Sequence, residues 1–496
     1  MTVDIVPLLP FLVAGMLLAV ARPTMGILLP IVFHPLTLVR SSIGPLPTTA
    51  LELLILSVVA GVWLGTLNAR TPQGGNRQQI SPFSGLCIAL FLLAATVSVF
   101  VSPHLRGSGG VWKAMIVDPI LFALTLSTLL RNDRGLLRKR VILALVLGGL
   151  VSLGASVVVG GVGRDFGRFR GIYDVPNSLA LVLAPLTTLS VVVGVLTPSL
   201  RFRLLARGVA GVFAVGLLLT QSLAGLLAVI VAVLIGGSLI GGPRKTILFL
   251  ALLLAVAGFS WQWQSGKLSH MFQPVSSSIV ARQEIWRVSW ALIEEHPALG
   301  TGLGTFEPAY QQKLAELLKK ESGVFPLEWV VRDPHNIVLS FWLHTGLLGL
   351  GAMGALSAVA FRRWFLAARS WRRGFRSDTT LVALSMGGGF LTLLLFGAFD
   401  VPYWKNDLAL LWWVYLLVSI TRGKLSPASL SPLKPDRLLN FGSSSCVNCE
   451  LIVFRSTHAM SARRSPMIER WMISFPLCAI AALPAETKYA YAPMPM

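Results

Sequence analysis

Residues 223–240 read LAGLLAVIVAVLIGGSLI, with no charged side chain. A transmembrane helix needs about 20 apolar residues, and this run is close to that length. Similar runs follow each other along the chain, at about 5–20, 24–39, 50–66, 84–102, 112–130, 141–160, 176–197, 208–220, 246–262, 336–360, 379–399 and 407–421. A membrane β-barrel would instead show ~10-residue alternating segments. Composition agrees with the runs. Of 496 residues, 54% are hydrophobic and 13% charged, and the mean hydropathy is +0.73. Soluble chains carry about 25% charged residues, so this chain has too few charges to cover a water-exposed surface. Disorder, collagen and a disulfide framework are excluded too, the last because only four cysteines are present. The expected fold class is all-α: a polytopic integral membrane protein with about 12–13 transmembrane helices.

Basic loops give the orientation. Arg131, Arg134, Arg138, Lys139 and Arg140 form one. Arg201, Arg203 and Arg207, then Arg244 and Lys245, form the next two. Arg362, Arg363, Arg369, Arg372, Arg373 and Arg376 form another, and Arg422 with Lys424 the last. They fall on alternate sides of successive spans, as a single cytoplasmic face requires. Segments 161–175, 221–222, 263–335 and 400–406 are then extracytoplasmic. The side of the N-terminus stays open. The first run has no basic n-region and no small-residue cleavage site, so no cleavable signal peptide is expected.

The resulting division is an N-terminal transmembrane bundle over 1–262, an extracytoplasmic loop with amphipathic helices over 263–335, C-terminal transmembrane helices over 336–424, and a poorly ordered cytoplasmic tail over 425–496. The loop holds seven Lys/Arg against eight Asp/Glu, while the whole chain is +21. The positive excess therefore belongs to the cytoplasmic face and its anionic membrane lipids, and nucleic acid is not needed to explain it. The tail carries Cys446 and Cys449 as a lone CxxC. Zinc needs four ligands, and no second pair has suitable spacing, so no metal is expected.

Within the loop, Ala281–Glu295 reads as a helix stopped by Pro297. At ~100° per residue, Ile285, Trp286, Val288, Trp290, Leu292 and Ile293 form one apolar arc, and Arg282 falls within it beside Ser289. A guanidinium facing protein or membrane needs a partner. Two readings stand: a first-turn arginine reaching back to water, or an inward-facing anion clamp. Gly300-Thr301-Gly302-Leu303-Gly304 has a misplaced third glycine for a dinucleotide fingerprint, and a flexible turn is the default. Pro308–Glu321 reads as a second amphipathic helix, lying on the membrane or on the first. The loop ends in Arg332-Asp333-Pro334-His335-Asn336. His335 is either a structural cap or a proton-transfer group, since an unperturbed imidazole titrates near 6.5. Arg164, Arg168 and Arg170, followed by Asn177 at a span start, run against the positive-inside trend. They form a plain surface loop or an anion site, because arginine binds phosphate oxygens in a fork.

Nucleotide chemistry has no support: neither GxxxxGK nor Asp-x-Asp occurs. A transporter of an anionic or lipid-linked substrate is the alternative from another class. It should show acids at mid-span and internal repeats. Here Glu52 and Asp118 lie near the ends of apolar runs, and no repeat is visible.

The constellation Phe169-Arg170-Gly171, Pro176-Asn177-Ser178-Leu179-Ala180, Arg282 through Ile285-Trp286, His296 through Phe306, His335-Asn336 and Thr345-Gly346-Leu347-Leu348-Gly349 resembles the O-antigen ligase/polymerase family over roughly residues 50–421. The resemblance implies a multi-pass glycosyltransferase of the bacterial inner membrane. It would move a glycan from undecaprenyl pyrophosphate to a hydroxyl on a lipid or glycan acceptor, on the periplasmic side and with no cofactor. By the same resemblance His335 would act as base, and Arg282 and Arg170 would hold the pyrophosphate. Arg164, Arg168, Asn177 and Asn336 are further candidates. One departure stands out. Many members carry Ser-Arg-Gly after the middle span, where this chain has Thr220-Gln221-Ser222-Leu223-Ala224-Gly225.

Overall fold

The computed structural model describes residues 6–43, 46–68, 80–132, 135–160, 167–241, 244–266, 278–320 and 326–421. Arg164 and the tail with its CxxC lie outside the described residues. The chain is an all-α polytopic membrane protein. Among the described residues, eight helices are long and apolar enough to cross a membrane. They are Pro82–Val101, Leu105–Arg131, Leu136–Val159, Pro176–Leu196, Leu200–Leu219, Leu223–Ile240, Ile337–Arg372 and Asp378–Phe396. Four shorter apolar helices accompany them, at Val6–Ala21, Pro23–Val32, Ala50–Thr66 and Asn406–Ile420. Among the described residues the β-structure is one small hairpin, with Arg40 paired to Thr49.

Asn406–Ile420 is the hub. Every residue in it is buried. At 15 residues it rises about 22 Å, less than a hydrocarbon core, and protein covers it on all sides. Its Trp412 packs edge-to-face on Phe390, Phe341 and Tyr403. Aromatic rings bury large apolar areas and prefer this geometry. The acids near the ends of apolar runs are drawn in as well. Glu52 is buried, paired with Lys113 at 2.5 Å, and accepts from Asn406 Nδ2 at 2.6 Å. Burial of a carboxylate demands such partners.

The apolar run 24–39 is not one continuous helix. Prolines 23, 30 and 35 break it into Pro23–Gly26, Leu29–Val32 and a 3-10 turn over His34–Leu38. Proline cannot donate its backbone N–H and clashes with the preceding turn. Non-helical backbone at membrane depth is tolerated where protein buries it. His34 is fully buried there, within 3.0 Å of the Ile31 carbonyl through Nδ1 and of Ser152 Oγ through Nε2.

The two loop helices form where expected, as Ser278–Glu295 and Phe306–Lys320. The second lies on the first: Tyr310, Leu314 and Phe306 share a core with Ile285, Val288, Leu292 and Ile293. Trp290, counted in the apolar arc, is instead 49% exposed. The glycine-rich turn between the helices is not loose. Thr301 N–H donates to the Leu343 carbonyl at 2.9 Å, and Leu347 N–H to Ala298 at 3.0 Å. This docking fills a break in Ile337–Arg372, where Gly346 has φ 67°. Gly300 also has positive φ, and a Cβ there would lie 2.3 Å from the Leu343 carbonyl oxygen. Only glycine meets both conditions without strain.

Candidate active site

Four elements meet at one end of the bundle. They are the N-termini of Pro176–Leu196 and Ile337–Arg372, the first turn of Ser278–Glu295, and the connection 397–405 between the last two helices. Pro334 disfavours helix at Asp333, so the helix starts only at Ile337. Asn336 is its N-cap and accepts from the Val338 and Leu339 N–H groups at 2.9 and 3.2 Å. Such a side chain satisfies amides that have no partner in the helix. Asn336 Nδ2 also donates to the Ala398 carbonyl at 3.1 Å, and Ile337 N–H to Gly397 at 2.7 Å. The 397–405 connection is thereby laced to the helix start.

His335 sits between these anchors at φ 48°, a left-handed conformation uncommon outside glycine. Such strain persists where the surroundings over-determine it. Trp286 Nε1 contributes by donating to the Pro334 carbonyl at 3.0 Å. The His335 side chain remains 33% exposed, with Nδ1 turned to Asp400 Oδ1 at 3.4 Å. Asp400 is 8% exposed. Its Oδ1 accepts from Val401 N–H at 2.8 Å, and its Oδ2 from Asn177 Nδ2 at 2.9 Å. Asn177 Oδ1 accepts from Arg168 Nη2 at 2.7 Å, and Arg168 Nε donates to the Thr220 carbonyl at 3.0 Å. One chain of hydrogen bonds therefore runs from the Thr220 turn to the imidazole.

Arg282 lies beside this chain. Its Nε donates to the Phe399 carbonyl at 3.0 Å and its Nη1 to Ser278 at 3.2 Å. Among the described residues Nη2 is left without a protein partner. The guanidinium thus faces the 397–400 backbone, next to Asp400. Lys405 Nζ donates to Ser178 Oγ, one residue from Asn177, and adds a further cation at this end.

The electrostatics follow from the geometry. Burial disfavours charge on His335, but its hydrogen bond to Asp400 and the carboxylate charge outweigh that, so the imidazole pKa rises. Burial would raise the Asp400 pKa. The His335 bond and charge, the Val401 amide and the Arg282 charge reverse this and hold it at about 2. Opposite charges at close range act this way. With Nδ1–H donating to Asp400, Nε2 is the ring nitrogen left for an incoming group.

Of the residues singled out in the sequence, His335, Arg168, Asn177 and Arg282 come together, and Asn336 holds the helix start beneath them. Arg170 does not join: it is exposed and takes no part in the network. Asp400 was missed. The available signal was an acid at the mouth of an acid-poor span, on the same side as His335. Among the described residues no three His, Cys, Asp or Glu side chains converge as a metal site.

Comparison with curated proteins gives no match. A family model described as O-antigen ligase matches residues 208–354. That stretch carries the Thr220 turn, Arg282, the glycine turn docked at Gly346, and His335. Over that stretch the chain is similar to the O-antigen ligase family.

Proposed function

We propose that this protein is a glycosyltransferase of the bacterial inner membrane that moves a glycan from undecaprenyl pyrophosphate to an acceptor hydroxyl on the periplasmic side. The observation that carries the reading is the His335–Asp400–Asn177–Arg168 chain beside Arg282. A departing pyrophosphate ester is an anion and needs positive charge held in place. Preorganised guanidiniums in a partly dry site supply it. Arg282 and Arg168 are the candidates, with Lys405 at the rim. Arg168 also answers the departure at Thr220–Gly225, because it brings a guanidinium to that turn from another segment.

A sugar hydroxyl is a weak nucleophile at neutral pH, and a positioned base helps by about 10²–10⁴-fold. His335 Nε2 would take the hydroxyl proton while the hydroxyl oxygen attacks the anomeric carbon. The bond from that carbon to the pyrophosphate oxygen breaks, and its electron pair leaves with the pyrophosphate. Asp400 sets the tautomer and steadies the imidazolium, the role a carboxylate plays behind a catalytic histidine. The polyprenyl tail stays in lipid while the headgroup meets the loop.

The test is a transfer assay with the purified full-length protein, undecaprenyl-pyrophosphate-linked glycan and acceptor. Release of undecaprenyl pyrophosphate that depends on acceptor is expected; intact donor in every mixture would refute the proposal. Sidedness is tested separately with cysteine at Gln312 and at Arg376, an impermeant thiol reagent and intact spheroplasts. Labelling at 312 alone is expected, and labelling at 376 alone would reverse the topology.

A further inference from the structure

At the end of the bundle opposite His335, a second pair of arginines converges. Arg138, in the first turn of Leu136–Val159, is only 4% exposed. Arg363, on Ile337–Arg372, donates from Nη1 to the Ile420 carbonyl at 2.6 Å. Both line one pocket, together with Thr379, Ser419 and Thr421. Among the described residues no acid lines it, and the nearby Asp378 is paired with Lys139 at 2.5 Å. Arg138 and Arg363 each make further interactions within the fold. Ser419 is 4% exposed, and its Oγ has no hydrogen-bond partner among the described residues.

Two buried-edge guanidiniums and an unanswered hydroxyl form a donor-rich cup. A buried hydroxyl is normally hydrogen-bonded, and arginine forks match tetrahedral oxyanions. We infer that this pocket binds a phosphate group, from the headgroup of an anionic phospholipid or from soluble phosphate. The enclosed part, about 10 Å³, is room for roughly one water-sized atom. The phosphorus would therefore rest at the open mouth, with one oxygen reaching toward Ser419. Basic pockets between helix ends at the membrane surface take lipid headgroups by this chemistry. The inference does not depend on the transfer reaction.

The full-length protein is reconstituted in phosphatidylcholine nanodiscs, in the same discs with inorganic phosphate, and in discs containing phosphatidylglycerol. Melting midpoints and lipid retained in native mass spectrometry are measured. Phosphatidylglycerol discs should melt higher and retain that lipid. A rise with inorganic phosphate alone would assign the site to the soluble ion. Arg363→Gln should cut retention about tenfold or more, as expected for loss of a charge-assisted fork. Ser419→Ala leaves both arginines in place and covers the case in which Arg363→Gln fails to fold. It should cut retention about fivefold, the value of one hydrogen bond. Equal midpoints in all three preparations would overturn the inference, as would wild-type retention in Ser419→Ala.

Discussion

The two ends of the bundle carry positive charge in different ways. Around His335, each charged group is tied to another element: Arg168 to Asn177 and Thr220, Asn177 to Asp400, Asp400 to His335, Arg282 to Phe399. At the opposite end most cations stand in solvent. Arg201, Arg372, Arg373 and Arg376 are exposed, and the Lys139–Asp378 pair is 50% and 67% exposed. A surface pair of that kind is worth about 0–1 kcal/mol. The number of charges marks orientation in a membrane. The connection of charges to one another marks chemistry. Arg138 and Arg363 are the exception at their end, because they line one pocket instead of standing in solvent.

The comparison breaks first at His335. His335→Gln keeps a hydrogen-bonding side chain but cannot accept and pass a proton. Turnover should fall by about 10²-fold or more, with donor binding nearly unchanged. Near-wild-type turnover in a purified transfer assay would end the base assignment and leave the histidine a structural cap.

Arg282 comes next. Arg282→Ala should lower turnover by about 10²-fold, in line with loss of one preorganised donor at a developing charge. Arg282→Lys keeps the charge but not the fork, and should recover only part of the loss. Complete recovery by lysine would make the role diffuse electrostatics, like that of the opposite end. The same substitution at Arg373 should leave turnover unaltered.

Asp400 sharpens the comparison through pH. It raises the His335 pKa, so a higher pH is needed to free the neutral base. In Asp400→Asn the burial effect on His335 and the Arg282 charge are opposed only by the smaller influence of Asp333. The acid limb of the pH–rate profile should therefore move to lower pH, while the plateau falls by about tenfold. A limb at the wild-type pH would separate Asp400 from the titrating group. The folded state feels the pair in a defined window. The raised histidine pKa contributes stability that is lost as pH climbs through it. The carboxylate held at about 2 contributes stability that is lost as pH falls through that value.

The smallest expected effect separates two arginines in one segment. Arg168→Ala removes the donor to Asn177 and should reduce turnover by roughly tenfold, the low end of the about 1.5–3 kcal/mol of a charged hydrogen bond. Arg170→Ala removes an exposed side chain and should stay within about twofold. The reverse order, measured side by side, would mean that Arg170 moves inward when donor is bound.

Much of this molecule is written in its local sequence. Runs such as Leu223–Ile240 declare membrane helices because the hydrocarbon core sets both length and polarity. Period 3.6 placed the loop helix and put Arg282 on its apolar arc, and Pro334 marked the helix start as lying just beyond it. Arg282 and His335 are legible because each departs from its local rule. What remained hidden depends on partners distant in the chain. Asp400 is an ordinary loop acid until Asn177, 223 residues away, donates to it. Arg168 and Arg170 differ by two positions and by nothing in type, yet the turn after Gly167 sends one inward to Thr220 and leaves the other exposed. The glycine turn looks loose until Leu343 and Leu347 take its backbone. Hydropathy and periodicity are sums over neighbours in sequence, so a chain can display them by itself. The pairing of single polar atoms is decided by tertiary packing, because burial without a partner is costly and only the assembled bundle determines which partners are within reach.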